Sequence, residues 1–276
     1  MPDQENIFSG LEKFGLSSVI DKKIEVYNPD ASPQDAEQDE KESSFCIEDY
    51  IFAKNFTCTV CTQNFKSNIV RERRIRLESV EYDLRPIYSP IDPLFYDVVV
   101  CESCGYTAVQ RMFNNILRRQ SDLVLSEISP KFKFHPYPDE PTIDEVIARY
   151  KLALLNAVVK KAKDGERAYI CMKITWLYRI KGSSLDNEKQ FAELTVKGLT
   201  AALSKEHFPI PGIGLGENTA LYLIAAFLHF LEDDRAAVKI LSELIASTKV
   251  SKRIKDRARD LRDEISDKNK SEKLLL

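Results

Sequence analysis

Two Cys-x-x-Cys pairs, Cys58-Thr-Val-Cys61 and Cys101-Glu-Ser-Cys104, carry the clearest chemistry in this chain. The two-residue spacing lets a tight turn aim both thiols of a pair at one ion. Two such knuckles supply four thiolates, the donor set of a closed tetrahedral zinc site. Gly105 follows the second knuckle, where a positive φ lets backbone N–H groups face the sulfurs. Thr62 stands there in the first knuckle, which leaves the geometry of that turn open. Iron in a rubredoxin-like site, or a redox-active thiol pair, is the alternative use of the same residues.

A disulfide framework fits less well. It expects a short secreted chain, whereas this one has 276 residues and opens on the acidic run Met-Pro-Asp-Gln-Glu-Asn with no apolar signal core. A reducing cytoplasm suits paired thiols held by metal. Four thiolates leave no open position for a bound water, so the expected role is structural: the ion staples a β-rich segment with little core of its own. Cys46 and Cys171 stand alone and read as ordinary thiols. His135, His207 and His229 are scattered, and no catalytic constellation is recognised around them. Formal net charge is −3, so no global attraction to nucleic acid or anionic membrane is expected. No apolar run reaches the ~20 residues needed to span a bilayer.

The elements that position the cysteines follow from pattern. Residues 1–44 hold an apolar island, Ile7–Leu16, and an acidic, proline-containing stretch from Asn28 to Ser44 that reads as a disordered linker. The island reads either as an element packed on the body or as a linear docking motif. Residues 45–140 read as the metal-binding β-rich module. Strand-like runs Tyr50–Phe56 and Leu94–Val100 deliver the two knuckles, and Pro86, Pro90 and Pro93 mark a non-regular crossing between them. Arg71, Arg73, Arg74 and Arg76 lie in a strand-like stretch from Ile69 to Tyr82, a face able to track phosphates, with Tyr82, Tyr88, Phe95 and Tyr96 nearby as stacking partners. Interleaved Glu72, Glu78, Glu81 and Asp83 support the plainer reading of a solvated charged face. The stretch Phe132–Pro138, extended by its prolines, reads as a linker pinned by aromatics.

Residues 141–267 read as helical, and 268–276 as a frayed tail. Thr142 and Glu145 form a Thr-x-x-Glu capping box that opens a helix running to about Lys163, with Gly165 as its stop. A second helix covers about Glu166–Lys181 and ends at Gly182; apolar residues over most of its circumference place it inside. Asp186 or Asn187 caps a third, to about Leu203. Asn218–Leu231 and Asp234–Ser247 are joined so closely that they must be antiparallel neighbours. Ala225 and Ala237 give this pair a tetratricopeptide-like spacing, although Leu244 stands where a small residue is usual. A charged last helix, about Lys252–Ser266, caps the stack. Gly212-Ile213-Gly214-Leu215-Gly216 matches no nucleotide-binding spacing and reads as an interhelical loop. The expected fold class is α+β: a small zinc-ribbon or rubredoxin-like β module followed by an all-α array of tetratricopeptide-like hairpins.

The run from Phe56 to Tyr106 resembles domain-of-unknown-function family 2225, a bacterial family. The residues that carry the resemblance are the first knuckle with Phe65-Lys66, the Val70-Arg71 step, Asp92-Pro93-Leu94-Phe95-Tyr96-Asp97, and Val100-Cys101-Glu-Ser-Cys104-Gly105-Tyr106. With the helical half, the resemblance extends from about Phe45 to Ser266. It implies a metal-binding module followed by tetratricopeptide-like helices, and no particular activity. The reading that follows is a zinc-binding, non-catalytic adaptor whose helices engage a protein or peptide. Nucleic-acid binding through Arg71–Arg76 and a thiol-based redox sensor are the alternatives.

Overall fold

In the computed structural model, residues 46–274 are described. The apolar island at 7–16 and the acidic stretch at 28–44 lie outside them. Six short strands form three antiparallel pairs, and seven α-helices follow, among the described residues. The expected mixed α+β class holds, with helix predominating.

Strand β1 (Ile51–Thr57) pairs with β2 (Asn64–Val70), and their register brings Thr57 opposite Asn64. The turn that closes this hairpin is therefore the first knuckle. Phe65 and Ile69 alternate onto the buried face of β2, and Phe56 stacks on its cross-strand neighbour Phe65 with ring centroids 5.8 Å apart. Strand β5 (Val98–Val100) pairs with β6 (Thr107–Val109), Val100 facing Thr107, so the second knuckle also closes a hairpin.

The region between them departs from the sequence reading. The expected strand from Ile69 to Tyr82 is broken by a 3-10 turn at Glu72–Arg74, because this polar run offers no alternating face to bury. Strand β3 starts only at Arg76 and runs to Val80; it pairs with β4 (Pro86–Ser89), so the expected proline crossing is partly a strand. All four arginines are exposed, yet they do not line one strand face. Arg71 lies back along β1, its Nε donating to the Ile51 carbonyl at 3.2 Å and its guanidinium 4.9 Å from the Phe52 ring. The Leu94–Val100 run also divides. Asp92 accepts from the Leu94 amide at 2.9 Å and starts a 3-10 turn over Pro93–Tyr96, leaving only Val98–Val100 as strand.

The helices are α1 (Arg118–Glu127), α2 (Ile143–Val159), α3 (Asp164–Lys181), α4 (Leu185–Lys205), α5 (Glu217–Phe230), α6 (Asp234–Ala246) and α7 (Lys252–Leu274). From α2 onward each packs on the next, and α2 also packs on β5 and β6. The Thr142 capping box forms in both directions: the Glu145 amide donates to Thr142 Oγ1 at 3.4 Å, and the Thr142 amide donates to Glu145 at 2.7 Å. Helix α2 ends four residues earlier than expected, and Lys161 takes the positive φ of 53° that turns the chain. Gly165 is not its stop. It lies in the first turn of α3, where a Cβ would sit 2.6 Å from Ile210 Cδ1, so closeness of packing keeps that residue small. Gly182 does end α3, in a left-handed conformation. Helix α4 starts just before the expected caps, with Ser184 at its N-cap position. Helix α7 continues beyond Ser266 to Leu274, with an exposed Lys270–Asp267 pair along it.

One buried cluster runs without a break from Cys58, Cys101 and Cys104 through Val146, Tyr150 and Trp176 to Phe227. The strands that carry the knuckles thus share their core with the helices. A second cluster joins α5, α6 and α7 through Ala225, Ala237, Leu241 and Leu261.

Candidate metal centre

The two hairpin ends meet. The Sγ atoms of Cys58, Cys61, Cys101 and Cys104 all lie within 4.8 Å of one another. Cys58 Sγ is 3.6 Å from Cys104 Sγ, and Cys61 Sγ is 3.6 Å from Cys101 Sγ. A tetrahedron with metal–sulfur bonds of ~2.3 Å has edges of about 3.8 Å. The sulfurs are therefore spaced to share one tetrahedral cation, and each contact crosses from one knuckle to the other.

Backbone geometry explains how two separate turns achieve this. In the first knuckle Cys58 N donates to Gln63 O at 2.9 Å and Thr62 N to Cys58 O at 2.9 Å. In the second, Cys101 N donates to Tyr106 O at 2.9 Å and Gly105 N to Cys101 O at 3.0 Å. The two patterns are the same, and so is the conformation after each pair: φ is 63° at Thr62 and 74° at Gly105. The turn left open by the sequence is thus settled as a match to the second. Thr62 is exposed and tolerates the left-handed conformation there. At Gly105 a Cβ would lie 2.4 Å from the Phe132 ring, which excludes any side chain.

Four thiolates around a divalent ion carry a net charge of −2, and the knuckles answer it with amides. Val60 N points at Cys58 Sγ at 3.4 Å. Amides of Cys61, of Ser103 and Cys104, and of Tyr106 support Cys58, Cys101 and Cys104 respectively in their charged forms. As thiols, the groups compete for protons. Hydrogen bonds with Cys104 and Cys58 drive the Cys101 thiol far below its ordinary range. The hydrogen bond with Cys101 pushes Cys58 up to about 12 and raises Cys104 further. A divalent cation held by the four cysteines would replace that competition for protons with charge neutralisation of the thiolates. The donor set thus fits a thiophilic, tetrahedral metal, held by Cys58, Cys61, Cys101 and Cys104; when bound, such an ion supplies cross-linking of the two hairpins.

Surrounding residues fix the frame. Phe113 was not singled out by sequence reasoning, and no periodic pattern marks it. Its carbonyl accepts from Thr59 Oγ1 of the first knuckle at 3.2 Å and from the Tyr106 hydroxyl beside the second at 3.1 Å. Its ring packs on Phe56, Phe65 and Tyr106. Asn156 of α2 donates to Gly105 O at 3.2 Å, and Ser129 donates to Cys104 O at 2.8 Å. An amide on the buried face of α2, between Ala153 and Ala157, was the available signal for Asn156. Three of the four cysteines are buried; Cys61 is partly exposed.

The remaining candidates do not join the centre. Cys46 is exposed and hydrogen-bonds to Glu48. Cys171 is buried in α3, and burial pushes its thiol up to about 12, which keeps it inert. His229 Nδ1 pairs with Asp234 at 2.5 Å, His135 packs edge-on to Tyr137, and His207 is exposed. No described helix is long and apolar enough to cross a membrane.

No curated protein and no solved structure matches this chain. A family model described as an uncharacterized protein conserved in bacteria matches residues 51–265, a span that takes in both knuckles and reaches into α7. The chain belongs to domain-of-unknown-function family 2225.

Proposed function

We propose that this protein is a zinc-stabilised adaptor, with Cys58, Cys61, Cys101 and Cys104 as the ligands and the helices from α2 onward as the surface for a protein or peptide partner. The observation that carries the reading is the closure of the sulfur tetrahedron: every ligand position is filled by protein, and three of the four sulfurs are buried. A centre of that kind organises structure and offers no place for a substrate. Zinc is preferred to iron because a structural role asks for an ion without redox chemistry.

The helical part favours an interaction role. Helices α5 and α6 meet through the small residues Ala225 and Ala237, both fully buried, which supports reading the pair as a tetratricopeptide-like hairpin. Helix α2 leaves Leu155 and Val158, one turn apart, about half exposed at 52% and 51%. Two neighbouring apolar side chains on an outer helical face suit a partner's apolar residue. Crosslinking followed by capture compares the full chain with a Leu155→Asp/Val158→Asp variant. The expected result is a protein retained by the native chain and lost by the variant. Equal retention by both, or binding only of nucleic acid in a salt-dependent gel shift, contradicts the reading.

A further inference from the structure

A second site lies beside the metal centre, under the proline-rich strap that precedes α2. Asn68 Nδ2 donates to Asp139 at 2.6 Å, and the Tyr96 hydroxyl donates to Asp139 O at 2.8 Å, so the strap is tied down over β2. Between strap, β2 and second knuckle is a cleft of about 200 Å³ whose walls include Lys66, Tyr96, Glu102, Phe134, Tyr137 and Arg149.

Arg149 is the unusual member. Its residue surface is only 7% exposed. Its Nη2 donates to Val98 O at 2.6 Å and its guanidinium stacks 4.3 Å from the Tyr137 ring. Its Nε is buried with no hydrogen-bond partner, its neighbours include the neutral phenols Tyr137, Tyr150 and Tyr96, and no carboxylate among the described residues pairs with it. Burial holds its pKa below the ordinary arginine value. A buried guanidinium without a counter-ion is costly, and an incoming oxyanion relieves that cost. Lys66 adds a second positive charge on an exposed position of β2. Glu102 opposes multiply charged anions. Phe134 keeps 40% of its surface exposed and, with Tyr96 and Tyr137, offers aromatic walls to a flat ring.

We propose that this cleft binds a small aromatic carboxylate, its oxyanion on Arg149 and Lys66 and its ring against Phe134 and Tyr137. The volume admits one ring with its acid group and is smaller than the ~300–1,000 Å³ of drug-sized sites. Calorimetric titration of the full chain with benzoate, phenyl phosphate and inorganic phosphate tests this. Benzoate is expected to bind one-to-one with a Kd on the order of 1 mM or below, ahead of phenyl phosphate, which meets Glu102, and of inorganic phosphate, which has no ring. Arg149→Gln is expected to weaken benzoate at least about tenfold. That variant also loses the bond to Val98 O, so Lys66→Ala and Tyr137→Leu, which leave that bond in place, carry the test if it fails to fold; each is expected to weaken benzoate several-fold. Absence of benzoate binding at about ten times that concentration, unchanged affinity in both of those variants, or preference for phenyl phosphate overturns the proposal.

Discussion

Thr62 and Gly105 hold the same left-handed conformation for different reasons, and that difference is testable at the scale of one residue. Thr62 faces solvent, so its side chain costs only the local strain of a positive φ, about 1–2 kcal/mol. Gly105 faces the Phe132 ring, so a methyl group there adds overlap to strain. Chemical denaturation is expected to show Thr62→Gly within about 1 kcal/mol of the native chain, because relief of strain is offset by added freedom in the unfolded state. Gly105→Ala is expected to lose about 2–4 kcal/mol. Equal effects of the two substitutions would mean that the turn, rather than its packing, sets the requirement. The knuckle cysteines themselves were legible in the sequence because spacing alone encodes a two-sulfur turn. The roles of Phe113 and Asn156 were not: the Phe113 carbonyl accepts from Thr59 and Asn156 donates to the Gly105 carbonyl, contacts between positions far apart in sequence.

At the scale of elements, the turn between β3 and β4 is fastened to the helices around a buried carboxylate, with Glu81 and the Tyr82 carbonyl beside it also bonded to Arg179 and Tyr222. Asp83, fully buried, accepts from Trp176 Nε1 at 2.9 Å and pairs with Arg179 at 2.8 Å. Burial raises the Asp83 pKa above its ordinary value, and Arg179 opposes that rise. With the folded pKa above the unfolded one, ionisation of Asp83 costs stability as pH climbs from the unfolded value through the folded one. Removing the guanidinium in Arg179→Met raises the folded pKa further. Arg179 also pairs with Glu81 and Glu188, but only Asp83 is fully buried. The variant's deficit, about 3–5 kcal/mol where Asp83 is ionised, is therefore expected to shrink as pH falls through that folded pKa, because a neutral carboxyl needs no counter-ion. Denaturation series at several pH values check this; a deficit that is flat across the acid range would show that Asp83 is not its source. The same hairpin shows where element reading failed. Strand β3 exposes most of its side chains and β4 half-buries all of its own, so burial leaves no period-two pattern to detect. Strand β6 was missed for the opposite reason, being buried along its whole length, whereas its partner β5 fell within the expected Leu94–Val100 run. Helix α1 buries only Val124 and so lacks an apolar stripe. Helices α2 and α3 were readable because a capping box and a C-terminal glycine are local signals that tertiary packing left intact.

Over the whole molecule, the knuckle hairpins and the helices share one buried cluster, and this changes what the metal is expected to stabilise. A β module with a private core would melt alone when its ion is withdrawn. Here Arg149, Tyr150 and Asn156 of α2 hold the carbonyls of Val98, Leu94 and Gly105, so loss of the staple is transmitted to α2. Chelation is expected to lower a single cooperative transition, with far-ultraviolet circular dichroism and the fluorescence of Trp176 changing together; two separated transitions would show that the modules are energetically independent. The most direct measurement is elemental analysis of the purified full chain beside its Cys101→Ser variant. One zinc ion per native chain, with that zinc lost from the variant, is the predicted result. A folded native chain that carries no stoichiometric metal, or a variant that retains all of it, would contradict a centre built from these four sulfurs.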